Sequence, residues 1–196
     1  MNRISEIKRE TKETKIRLKL DLDGKGQFRG KTGICFFDHM LELFTKQGLF
    51  DLEIEASGDL DVEEHHLVED VGIVLGQAFR QALGDKKGIR RYGFFILPMD
   101  ETLALAAVDF SGRSEFVWNA EFKREKIGEL PTELLPHFFK TVADNAAMNL
   151  HLKLFYGVNE HHKSEALFKA LARAMRMACE PDERAKDAIA STKGVI

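Results

Sequence analysis

The sequence predicts an α+β fold: two copies of a β-β-α-β-α unit, with the helices packed as one layer between two mixed β-sheets. Three observations carry the prediction. First, four blocks recur in the same order in the two halves of the chain, as an internal duplication requires. Glu13–Thr14 and Asp21–Lys25 return as Glu101–Thr102 and Asp109–Arg113, at an offset of 88 residues. Phe37–Leu41 and Asp51–Ile54 return as Leu135–Phe139 and Asn149–Leu152 at an offset of 98, and Glu64–Glu69 returns as Glu160–Glu165 at 96. Second, short runs alternate apolar and polar as half-buried strands do, and third, longer runs repeat apolar residues at the helical period.

The elements follow in order. Ile16–Leu20 alternates as a strand, and Asp23–Gly24 signals a turn, after which a second strand is expected. From Asp38 to Gly48, Met40, Leu41 and Phe44 stand at helical spacing, with Asp38 as the expected N-cap and Gly48 as the stop. Leu52–Ala56 alternates again as a third strand. Glu64–Leu83 carries Leu67, Val71, Val74, Leu75, Ala78 and Phe79 on one side and closes at Gly84, so a long helix is expected there. In the second half the expected strands are Leu103–Phe110, Glu115–Ala120 and Asn149–Leu154, and the helices Thr132–Asn145 and Glu160–Cys179. The halves, residues 1–84 and 85–180, are joined by the short polar turn Gly84–Gly88 and are expected to form one rigid body. Residues 181–196 form a tail without periodicity, expected to be loose until something anchors it.

Composition narrows the partners. The chain has 196 residues, 44% of them hydrophobic, enough for one compact domain or two closely packed halves. Lysine and arginine number 29 against 32 aspartates and glutamates, a net charge of -3, so no field draws nucleic acid or an anionic membrane. A small molecule is the expected partner. The start, Met1–Glu6, is polar, and no apolar run approaches the roughly 18 residues of a membrane span. Cys35 and Cys179 stand far apart without a C-x-x-C spacing, which suits a reducing cytoplasm.

Six of the seven histidines fall in the duplicated blocks, and only His151 does not. Residues four apart share a helix face, so His65 with Glu69, and His161 with Glu165, can each close on one ion. Neighbours on a helix are turned by roughly 100° from each other, so His66 and His162 must face a different ion from their neighbours. Two metals follow. Pseudo-twofold symmetry assigns His65, Glu69, His137 and His162 to one ion and His39, His66, His161 and Glu165 to the other. Each quartet leaves open positions on a six-coordinate metal for substrate, and the mixed N/O donors suit manganese, zinc, iron or nickel. One His-His-x-x-Glu is weak evidence; its recurrence at the start of both long helices is strong.

These residues resemble the imidazoleglycerol-phosphate dehydratase family of histidine biosynthesis over essentially the whole chain. The resemblance is carried by Phe37–Leu41, Glu64–Asp70, Leu83–Arg91, Asp109–Arg113, Asn159–His162 with Glu165, and Ser191–Gly194. It implies a hydro-lyase that converts imidazole glycerol phosphate to imidazole acetol phosphate and water. It also implies two Mn2+ per active site on the quartets above, at subunit interfaces of a homo-oligomer of 24 subunits. By the same resemblance Glu13, His39, Gln47, His65, Glu69, Arg91, Arg113, His161, Ser191 and Lys193 contact substrate. Guanidinium forks and an ammonium suit a phosphate ester. Glu13 is the candidate base for the proton on the carbon next to the ring, with both ring nitrogens on metal so that the ring passes through an imidazolate. The donor to the leaving hydroxyl is not identified by the sequence.

Two departures stand out. Pro136 precedes His137 where the family often has an acidic residue, and would be interior to a helix starting at Thr132, so the helix must begin later or bend. Lys163 replaces a commonly apolar residue in the second tetrad. No phosphatase domain is appended, so a single activity is expected. Rival readings are a di-metal hydrolase acting on a small phosphate ester, which would release inorganic phosphate, and a metal-storage or metal-sensing module, which would bind metal without turnover.

Overall fold

The computed structural model describes residues 3–186 and 188–196, so Met1 and Asn2 of the polar start and Asp187 of the tail lie outside the described residues. The order of elements is β1 (Ile4–Glu10), β2 (Thr14–Asp21), β3 (Phe28–Lys31), α1 (Cys35–Gly48), β4 (Asp51–Gly58) and α2 (His65–Leu83). The second half follows with β5 (Tyr92–Met99), β6 (Thr102–Asp109), β7 (Glu115–Asn119), the small hairpin β8 (Lys126–Ile127) and β9 (Leu130–Pro131), α3 (Leu134–Ala146), β10 (Asn149–Tyr156) and α4 (Glu160–Cys179).

Two four-stranded sheets share one topology, β1-β2-β4-β3 and β5-β6-β10-β7. In each, the last strand runs parallel to its neighbour and the other pairs are antiparallel. The expected duplication extends to register: Asp21 pairs with Asp51 in the first sheet and Asp109 with Asn149 in the second. The turn after β2 therefore does not close a hairpin. Asp51 Oδ1 accepts hydrogen bonds from the Lys25 and Gln27 amides at 2.7 and 2.9 Å, which draws the chain past β4 so that β3 joins its far side.

Each four-stranded sheet carries one more strand than the alternation predicted, and the second half adds the small β8–β9 hairpin. In β1 only Ser5 is buried, its hydroxyl donating to Ala78 O on α2, so the strand has almost no apolar signature. In β5 both faces are apolar: Tyr92, Phe94 and Ile96 are exposed while Gly93 and Leu97 are buried, so the strand shows no alternation. A Cβ at Gly93 would stand 1.9 Å from Ala174 O, so its absence sets how closely β5 and α4 approach.

The helices form the layer between the sheets: α2 packs on β1, β2 and α3, while α4 packs on β5, β6 and α1. Small residues allow the α2–α3 approach, since a Cβ at Gly76 would lie 2.6 Å from Val142 O. Aromatic rings fill the centre. Phe37 of α1 meets Phe138 of α3 edge to face at 5.1 Å, and Phe139 meets Phe168 of α4 at 4.7 Å. These rings are 2% exposed or less, and full burial of such a side chain stabilises the fold by about 1.5–3 kcal/mol. They also fix the helix turns that bear His39 and His137.

Two helix starts differ from expectation. Asp38 is not the N-cap of α1; the helix starts at Cys35 after Ile34, and the Asp38 carboxylate accepts from the Thr32 amide and hydroxyl, both at 2.7 Å. Helix α3 starts at Leu134 rather than Thr132, which places Pro136 in the first turn, where its missing N–H costs no intrahelical bond. The described residues of the tail carry no helix or strand, and they are tied to the chain that follows α2: Asp182 N donates to Gly88 O and Gly88 N to Ala188 O, at 2.8 and 2.9 Å.

Candidate metal centre

Helix α2 presents His65 and Glu69 one turn apart, and α3 brings His137 to them. The His65 and His137 rings lie 4.6 Å apart, and His137 Nε2 is 3.3 Å from Glu69 Oε1. Helix α4 presents His161 and Glu165 in the same way, and α1 brings His39. Glu165 Oε1 lies 2.9 Å from His161 Nε2 and 3.1 Å from His39 Nε2. Within each triad the three ligand atoms all lie within 4.8 Å of one another, a spacing an ion can bridge.

One atom tests whether a metal fits. His137 Nε2 is buried and has no hydrogen-bond partner, a state that costs about 1–3 kcal/mol unless something satisfies it. With a carboxylate and a second imidazole beside it, the donor set is that of a transition-metal site.

His66 and His162 face away from their neighbours' triads. His66 Nδ1 lies 3.0 Å from Asp59 Oδ2 and 3.9 Å from Glu13 Oε2; His162 Nδ1 lies 2.7 Å from Glu101 Oε2. The single chain thus assembles three members of each expected quartet and does not bring His162 to His65, Glu69 and His137, nor His66 to His39, His161 and Glu165. The reason is the rotation between adjacent helical residues combined with the carboxylate that captures each ring.

Asp59 and Glu101 were not singled out from the sequence as site residues. Glu101 did carry a signal, as the repeat counterpart of Glu13. It also accepts from the Val158 and Asn159 amides at 3.0 and 2.8 Å, and these bonds together with His162 hold it well below the usual carboxylate range. In return, the Glu101 hydrogen bond raises the pKa of His162, and the Asp59 hydrogen bond raises that of His66. A carboxylate on Nδ1 leaves Nε2 pointing outward and makes it a better ligand. For Glu165, burial acts to raise the pKa, but Lys169, His161 and His39 outweigh it and carry it down to about 2.

The proposed substrate contacts divide between regions. Glu13 is exposed on the β1–β2 turn, which the Thr11 hydroxyl shapes by accepting from the Glu13 and Thr14 amides. Gln47 is half-buried near the end of α1. Arg91, Arg113, Ser191 and Lys193 line one cavity of about 400 Å³, which no triad residue borders. Arg91 is oriented there by Asp109, with Nε–Oδ1 at 2.7 Å and Nη2–Oδ2 at 3.1 Å, and donates to Ala190 O of the tail. His151 is exposed on β10, away from both triads. Lys163, the unexpected residue of the second tetrad, is buried: it pairs with Glu160 at 3.0 Å, donates to Glu121 O at 3.2 Å and lies 5.8 Å from the centre of the Phe122 ring.

Comparison with known proteins gives this geometry a family. A family model described as imidazoleglycerol-phosphate dehydratase matches residues 32–175. The chain is 56% identical over its full length to all of an imidazoleglycerol-phosphate dehydratase from Granulibacter bethesdensis. It is 55% identical to one from Koribacter versatilis, covering 97% of each chain. A bifunctional histidine-biosynthesis protein from Stenotrophomonas maltophilia is 58% identical over 99% of this chain, which spans 53% of that longer protein. Among solved structures, an imidazoleglycerol-phosphate dehydratase from Staphylococcus aureus superposes with a TM-score of 0.83 at 40% identity, covering 91% of this chain and 99% of that one. One from Pyrococcus furiosus gives the same TM-score at 35% identity, covering 97% and 100%. The chain belongs to the imidazoleglycerol-phosphate dehydratase family.

Proposed function

We propose that the two triads hold the pair of divalent ions of this dehydratase, and that His66 and His162 complete the ligand sets of other copies of the chain. The enzyme is a hydro-lyase of histidine biosynthesis that removes water from imidazole glycerol phosphate to give imidazole acetol phosphate. The observation that carries the metal reading is the pair of matched triads with their doublet partners turned outward, each held by a carboxylate on Nδ1. Manganese is the ion we assign, on the family resemblance and the mixed N/O donors. The same resemblance gives the 24-subunit assembly. The three-membered triads and the half-buried, outward His66 and His162 support active sites shared between subunits.

Ions bound at the triads would supply Lewis acidity to the two nitrogens of the substrate ring, easing the departure of the neighbouring carbon's proton. The chain's own residues do the rest. Arg91 and Arg113, with Lys193 and Ser191, bind the phosphate in their shared cavity, and Asp109 keeps the Arg91 fork aligned. Glu13, 3.9 Å from His66 Nδ1, is the proposed base, placed at the edge of a metal ligand and open to solvent. Two unpaired cysteines suit a cytoplasmic setting, and among the described residues no helix is long and apolar enough to cross a membrane.

The experiment is an assay of metal-free and manganese-restored protein on imidazole glycerol phosphate, beside His65→Ala and His161→Ala. Both variants should lose turnover, since each removes a ligand from a different ion, and no inorganic phosphate should appear. Full activity in either variant contradicts the paired centre.

A further inference from the structure

We propose that the two triads bind their ions unequally: His65–Glu69–His137 fills first, and Lys169 sets the difference. This rests on the metal reading above and extends it to the order of filling.

The two repeats supply the same donors, two imidazoles and one carboxylate, so ligand chemistry alone makes the triads equal. The difference lies one helical turn beyond each glutamate. After Glu69 that position is Ile73; after Glu165 it is Lys169. Lys169 Nζ lies 2.5 Å from Glu165 Oε2, with the two side chains 17% and 9% exposed. Glu165 Oε1 meanwhile meets both His161 and His39. Both oxygens of that carboxylate are thus engaged within the chain, one of them by a fixed positive charge. A dication entering there must break both imidazole contacts and remain one carboxylate away from an ammonium.

The first triad is the opposite case. Glu69 has no lysine or arginine partner among the described residues, is 39% exposed, and stands 3.3 Å from His137 Nε2, which has no hydrogen-bond partner. An ion entering there satisfies a buried atom and opposes no nearby cation. Both observations point the same way. Even at an effective dielectric of about 20, a unit charge this near a dication is worth roughly tenfold or more in affinity.

The test is a titration of the metal-free full-length chain with Mn2+ against a competing chelator, reading free Mn2+ by its electron paramagnetic resonance signal. Two classes of site are expected, one ion per chain in each, at least about tenfold apart. Glu69→Gln should remove the tight class and Glu165→Gln the weak one. Lys169→Gln should tighten the weak class by about tenfold and leave the tight class in place, whereas Lys169→Arg, which keeps the charge, should preserve the gap. If circular dichroism shows that Lys169→Gln does not fold, Ile73→Lys gives the reverse test and should weaken the tight class. Equal classes in the unaltered chain, or no response of the weak class to loss of the Lys169 charge, overturns the inference alone. Absence of any Mn2+ binding overturns the metal reading and the inference with it.

Discussion

Lys163→Met should destabilise the metal-free protein by about 3 kcal/mol, because it strands a buried carboxylate. Glu160 is 4% exposed, its Oε1 is 3.0 Å from Lys163 Nζ, and its Oε2 already has no partner. Removing one member of a buried pair costs about 3–5 kcal/mol, more than the pair itself stabilises the fold, since the remaining charge is left without water or counter-ion. In a chain of this size that is a fall of roughly 10 °C in Tm. Replacing both members, Glu160→Leu with Lys163→Met, should recover all but about 1 kcal/mol, because two apolar side chains then fill the buried site without a charge. Urea unfolding of metal-free protein, at one fixed concentration so that assembly does not shift the midpoints, measures all three. A single variant within about 1 kcal/mol of the parent chain, or a double variant no better than the single, refutes the reasoning.

Glu101→Gln should weaken the ion that takes His162 by about 10–100-fold while stability changes little, measured by metal titration beside thermal unfolding. Gly93→Ala should destabilise by about 3 kcal/mol in urea, because a methyl group 1.9 Å from Ala174 O forces β5 off α4. Arg3 lowers the pKa of Asp23 from its ordinary 3.8, through a bidentate pair whose Nε–Oδ2 distance is 2.9 Å. A depressed carboxylate contributes stability that is present above its unfolded value and lost as pH falls through the folded one. Asp23→Asn should therefore cost about 0.5–1 kcal/mol at pH 7, and its unfolding curve should converge with that of the parent chain in strong acid.

The repeat made the fold legible, because matched blocks carry matched register: the Asp21–Asp51 and Asp109–Asn149 rungs are where the sequence blocks align. What escaped were elements stabilised without an apolar signature. Strand β1 is held by its ladder to β2 and by one buried serine, and β5 carries apolar residues on both faces, so neither alternates. Helix starts slipped where capping is not done by the expected side chain, as at Asp38, whose carboxylate reaches back to Thr32. At the site, i,i+4 spacing located two members of each triad, since helix geometry is local, and the repeat supplied His137 and His39. The orienting carboxylates were harder to see. Glu101 comes from the β5–β6 turn and Asp59 from the loop after β4, and only the fold brings them to their histidines. The Lys169–Glu165 pair has the same local spacing as the ligands, yet its meaning depends on the carboxylate's burial.

The most direct test is anomalous diffraction at the manganese absorption edge from crystals grown with Mn2+. Two peaks per chain are expected, one against His65, Glu69 and His137 and one against His39, His161 and Glu165, each also touched by a doublet histidine from a neighbouring subunit. A single peak, or an ion gripped by both members of one doublet, contradicts the account.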